Sequence, residues 1–223
     1  MSTYLPVLAY QKIGRVPPTS RLKKEWASPR RLEKQIQSLL KRQYTFITPL
    51  DLQKQLPAKP VLLAFFGGYQ SFYTDVYPLL QKYRICATVL VAVETLGTYN
   101  SWQDPHQEPW QNILTSAQLQ EMYQSGRVQI GTLGLDGHNL LSDEPTQAHA
   151  FLQESVYRLK TLHGLETCAL GFWPGTAWND SRARHIVHGL DLPVFTSQKG
   201  RNLRAETHFL RVHNPNFLTQ FYF

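Results

Sequence analysis

The chain has 223 residues and a net charge of +7; 42% of it is hydrophobic, 12% aromatic and only 17% charged. That balance excludes an intrinsically disordered chain, and no apolar run approaches the ~20 residues of a membrane-spanning helix. The length suits one α/β domain, so residues 1–223 are expected to form a single unit.

The elements alternate along the chain. Leu5 to Tyr10 reads as a short apolar strand. Ser28 then offers an N-cap and Pro29 a first-turn proline for a basic helix with Leu32, Ile36, Leu39 and Leu40 on one face. Much of the positive charge lies in RLKKEW and SPRRLEKQIQSLLKR. It is read as a solvated helix face, and nucleic acid is set aside because no aromatic stacking motif accompanies it. A strand TFIT at Thr45 to Thr48 precedes a helix expected from Thr48, Pro49 and Asp51. The buried strand Val61 to Phe66 runs into Gly67 and Gly68, followed by a helix near Phe72 to Tyr83 and a strand Ala87 to Val93.

A long polar loop with Trp102 and Trp110 spans Thr98 to Leu114. Helix Ser116 to Ser125, strand Val128 to Gly131, helix Thr146 to His163, strand Cys168 to Trp173, helix Asp180 to His188 and strands Val194 to Ser197 and Phe209 to Val212 complete the series. Repeated strand-then-helix units with apolar strands predict a parallel sheet, open or closed into a barrel. In either form a site belongs at the carboxyl ends of the strands, where YQKIG, FFGGYQ, GTLGLDGHN and FWPGTAW fall. Cys86 and Cys168 each sit in an apolar strand-like run with no CxxC partner and are read as reduced, buried thiols. The first residues, MSTYLPVLAYQKIG, lack a basic segment followed by an unbroken apolar one, so a cytoplasmic location is the expectation.

The order LAYQKIG, FITPLDL, VLLAFFGGYQSFYTDVYPLLQKYRICATVLV, LTSAQLQEMYQSGRVQIGTLGLDGHNLL and GFWPG resembles the polysaccharide deacetylases, the NodB-homology carbohydrate esterases, from about Leu5 to about Val212. The resemblance implies a distorted (β/α) barrel of about seven parallel strands. It also implies a divalent metal that serves removal of N- or O-acetyl groups from glycans. The family's first motif is Thr-Phe-Asp-Asp-Gly, with a general base and a metal ligand as its two acids; the matching positions here are Ala64 to Gly68, so Phe66 and Gly67 replace the carboxylates. The two metal-binding histidines of the second motif align with Leu133 and Gly137, and Gln11 stands where a His usually follows the first-strand Tyr.

No catalytic residue and no metal ligand is therefore assigned at the family positions. Three readings stay open. In the first, the chain is a non-catalytic carbohydrate-binding module of glycan metabolism, with Gln11, Gln70, Asn139, Trp173 and Trp178 contacting a sugar or sugar-linked ligand. In the second, a filled barrel serves a protein partner. In the third, a displaced deacetylase site uses Asp136 and His138, with a divalent metal such as zinc near His138.

Overall fold

The computed structural model describes residues 4–204 and 208–213. Eight parallel strands form the main sheet: β1 (Val7–Tyr10), β2 (Thr45–Ile47), β3 (Pro60–Phe66), β4 (Ala87–Val91), β5 (Val128–Thr132), β6 (Thr167–Gly171), β7 (Val194–Lys199) and β8 (Phe209–Val212). The spatial order is β8-β7-β6-β5-β4-β3-β1, with β2 paired beside the first half of β3. Closure comes through His213, whose N–H donates to the Val7 carbonyl at 2.8 Å while its carbonyl accepts from the Ala9 N–H at 2.8 Å. Leaving β2 aside, the result is the nearly closed seven-strand barrel that the family resemblance implies.

Helices α1 (Pro29–Lys41), α2 (Tyr77–Tyr83), α3 (Ser116–Gln124), α4 (Pro145–His163) and α5 (Asp180–Ile186) connect the strands. The Ser28 cap is the one the sequence advertises, and the structure adds others. Ser28 Oγ accepts from the Arg31 N–H at 3.2 Å, and Thr115 with Gln118 forms a reciprocal capping box on α3. Gly164, at φ +65°, takes the left-handed position that ends α4.

Strand β3 shows how the barrel divides its residues. All seven of its side chains are buried, so no polar face marks the alternation. Val61, Leu63 and Phe65 belong to the outer core under the helices, whereas Leu62, Ala64 and Phe66 point into the barrel. Phe65 stacks on Tyr10 with ring centroids 5.0 Å apart, while Phe66 meets Phe195 edge-on at 6.1 Å across the interior.

Three local expectations are corrected. The Leu5 to Tyr10 strand is broken at Pro6, which lacks the N–H to continue a ladder; Tyr4–Leu5 pairs antiparallel with Asn202–Leu203 instead. The helix expected after Thr48 is a single 3₁₀ turn, Pro49–Asp51. Its cap is real, with Asp51 Oδ2 accepting from Thr48 N at 3.0 Å, but Leu50 is 52% exposed and the segment buries too little apolar surface to carry a helix. The helix near Phe72 begins as a wide π turn, Phe72–Val76, because Pro78 cannot donate the next α-helical hydrogen bond.

Candidate functional site

The carboxyl ends of β3, β5 and β6 meet at one rim, and apolar side chains fill the space between them. Phe66 ends β3 fully buried, and Leu133, just after β5, is 1% exposed. Both close on Gly171 at the end of β6: a Cβ there would overlap Leu90, reach Leu133 Cδ2 at 3.0 Å and come within 3.4 Å of Phe66 Cε1. Hydrophobic burial stabilises this floor, at about 1.5–3 kcal/mol for each large side chain removed from water.

An aromatic layer covers the floor. Gly67 leaves β3 at φ +103°, and a Cβ on it would lie 2.5 Å from Tyr69 Cε2 and 3.1 Å from Trp173 Cη2. Trp173 tilts against Trp102 with centroids 5.4 Å apart, and Tyr69 follows at 6.1 Å from Trp102. The Trp173 Nε1–H donates to the Gly137 carbonyl at 2.7 Å. Gly137 in turn lies flat under Trp102, where any Cβ would sit 2.6 Å from Cε3.

Outside this layer runs a groove of about 520 Å³. Gln11, Glu25, Trp102 and Gln103 line one stretch of it, Gly137, His138 and Asn139 another, and Trp173 to Thr176 the rest. It therefore offers indole surface, side-chain amides and a carboxylate, the mixture that suits a polyhydroxylated ring.

A buried ionic strut supports the groove. Lys12, 1% exposed, places Nζ 2.8 Å from Glu25 Oε2 and 3.2 Å from Glu108 Oε1, between the rings of Trp26 and Tyr69. Glu108 also accepts from Ser20 Oγ at 2.5 Å and from Trp26 Nε1 at 2.7 Å. Burial alone would raise its pKa, but Ser20, Lys12 and Trp26 outweigh burial and hold it below the usual carboxylate range. Burial, reinforced by the charges of Glu25 and Glu108, pushes the Tyr69 phenol well above its ordinary value, so it stays neutral. The loop from Thr98 to Leu114 is thus pinned at Glu108 and reaches the groove through Trp102 and Gln103.

Comparison with known proteins identifies this architecture. The family model for polysaccharide deacetylase matches residues 53–194, well over half of the chain. The chain belongs to the polysaccharide deacetylase family. YxkH of Bacillus subtilis, named for that family, is 28% identical over 179 residues, covering 75% of this chain. The chain spans about 56% of that relative's length. Among solved structures, IcaB from Ammonifex degensii superposes with a TM-score of 0.78 at 23% identity, over 96% of this chain and 92% of that one. The Streptococcus pyogenes deacetylase PplD, solved with acetate, gives 0.76 at 21%, over 95% and 92%. At these identities the structural likeness speaks for the barrel alone.

The family resemblance implies a divalent metal, which needs about three oxygen, nitrogen or thiolate donors and an open position for water. Phe66, Gly67, Leu133 and Gly137 bring no side-chain donor. Among the described residues no group of three or more His, Cys, Asp or Glu side chains is arranged to hold a metal. His138 does not supply the missing donors: Nδ1 faces Asp136 Oδ1 and Nε2 faces Asp143 Oδ2, so both ring nitrogens are engaged. Burial tends to lower the His138 pKa, but the hydrogen bonds to Asp143 and Asp136 outweigh it and raise the pKa. The residues present do not fit the metal.

The structure brings Gln11, His138, Asn139 and Trp173 together on the groove, with Asp136 beside His138. Two expected contacts lie elsewhere. Gln70 accepts from Asn112 Nδ2 at 3.2 Å beneath the long loop, and Trp178 packs edge-on against Phe172 at 5.5 Å and Phe209 at 6.2 Å. Sequence reasoning overlooked Lys12, Glu25, Gln103 and Glu108. Glu25 carried one faint signal, a lone acid in the basic run RLKKEW directly before a Trp.

Proposed function

We propose that this deacetylase-family chain has lost the hydrolytic reaction and binds carbohydrate in the groove above its sealed barrel mouth. The observation that carries the reading is the closure of Phe66 and Leu133 over Gly171, which puts hydrocarbon where the family resemblance expects carboxylate and imidazole. Among the described residues no group of side chains is arranged to hold a metal that would activate a water. The groove persists outside that closure, with Trp102 and Trp173 as the stacking surface and Gln11, Gln103 and Asn139 as hydrogen-bonding side chains. The family acts on carbohydrates, so a glycan is the ligand class this surface inherits.

Titration calorimetry of the protein with β-linked hexosamine oligosaccharides, acetylated and free-amine, tests the reading. Binding of at least one set, lost in Trp173→Ala while the melting profile stays cooperative, is the expected result. Absence of binding to both sets overturns it.

A further inference from the structure

The groove lining carries the Glu25 carboxylate although the chain as a whole has a net charge of +7. Lys12 is shared by Glu25 and Glu108, so that cluster keeps one uncompensated negative charge, and the single cation is buried behind the groove. His138, also in the lining, sits between Asp136 and Asp143, and Arg182 reaches the Asp143 carbonyl. Among the described residues no lysine or arginine lines the groove. Glu25 binds Lys12 Nζ and Gln103 Nε2 through the same oxygen, Oε2, and among the described residues Oε1 carries no hydrogen bond. Its side chain keeps 24% of its surface exposed at the groove, near the tilted Trp102 and Trp173 pair.

Building on the carbohydrate reading, we propose that the groove selects glycans bearing free primary amines, de-N-acetylated hexosamine units, over the same glycans in N-acetylated form. An ammonium group on a pyranose ring meets both features together. The indole faces attract a cation as well as the C–H face of the sugar, and the Glu25 carboxylate, held in place by Lys12 and Gln103, offers an open oxygen to the N–H donors. An acetamide in the same position carries no charge and leaves that oxygen with a weaker partner. The groove would thus retain the product side of the reaction that the rest of the family performs.

The test is calorimetric titration of the intact chain at pH 6 with length-matched glucosamine and N-acetylglucosamine oligosaccharides. The free-amine series is expected to bind about tenfold tighter at low salt, with the ratio shrinking as ionic strength rises. In Glu25→Gln the ratio falls towards one. Because that substitution also touches buried Lys12, the wild-type ratio and its salt dependence are read independently of the variant. Equal or tighter binding of the acetylated series overturns the selectivity and leaves the carbohydrate reading standing; no binding of either series overturns both.

Discussion

Leu90 and Gly171 share one space: a methyl group at 171 would lie 2.4 Å from Leu90 Cδ2 and 3.0 Å from Leu133 Cδ2, and would touch Phe66 Cε1 at 3.4 Å. Gly171 has ordinary strand geometry, so packing rather than backbone conformation makes it glycine. Gly171→Ala is therefore expected to cost about 1–3 kcal/mol by overpacking, a fall of roughly 2–12 °C in melting temperature for a chain of this size. Thermal unfolding followed by circular dichroism measures it; an unchanged or raised Tm contradicts the sealed mouth.

Restoring acids by single substitution is not expected to restore chemistry. Phe66→Asp would bury an unpaired carboxylate in a purely apolar floor and leave a cavity, a loss of about 3–5 kcal/mol. Gly67→Asp meets Tyr69 and Trp173 and a positive φ at once. Denaturant unfolding of both variants checks this. A stable Phe66→Asp protein with newly acquired metal affinity would show that the floor is more yielding than its packing indicates.

Lys12 is the centre of the groove's support, and its loss strands two carboxylates. Lys12→Met should destabilise the chain by about 3–5 kcal/mol, because breaking a buried ion cluster leaves uncompensated charge. It should also loosen the segment that Glu108 pins. Amide exchange resolves the two effects: protection is expected to fall first around Trp102 to Trp110 and only later in β4 and β5.

His138 predicts a pH dependence with a definite sign. Its pKa is raised in the folded state by Asp143 and Asp136 against the opposing effect of burial, so its contribution is fully present below the unfolded value of about 6.5 and is lost as pH rises through the folded value. Asp136 acts in the other direction. Burial would raise it, but hydrogen bonds from His138 hold it low, and its contribution fades as pH falls below the ordinary carboxylate range. The stability gap between wild type and His138→Gln should therefore peak between about pH 5 and 6 and shrink on both sides. Melting curves across pH 3.5 to 8.5 measure it, and a gap that grows with increasing pH contradicts the assignment.

Much of the barrel was legible because its signals are local. Capping at Ser28 and the apolar run at Val61 to Phe66 each act over a few residues, and the structure uses both of them. The helix expected after Thr48 failed because a cap can start a turn but only packing extends it. At the site, the apolar replacements at Phe66 and Leu133 were visible from alignment alone, whereas the strut was not. Lys12 meets Glu25 across 13 positions and Glu108 across 96, through the short Lys12–Ile13 and Trp26–Ala27 pairing and the long loop, and nothing in RLKKEW or WQDPHQEPW states that their charges meet. Trp178 misled for a related reason: an aromatic beside a strand-end motif reads alike whether it faces a ligand or, as here, Phe172 and Phe209.

The most direct test of the central claim is the metal content of the purified chain after dialysis against zinc, cobalt and nickel, followed by turnover of a chromogenic acetyl ester. The sealed mouth predicts substoichiometric metal and no hydrolysis above buffer. One tightly held metal per chain, released by His138→Ala and accompanied by turnover, would contradict it and return the chain to the working deacetylases.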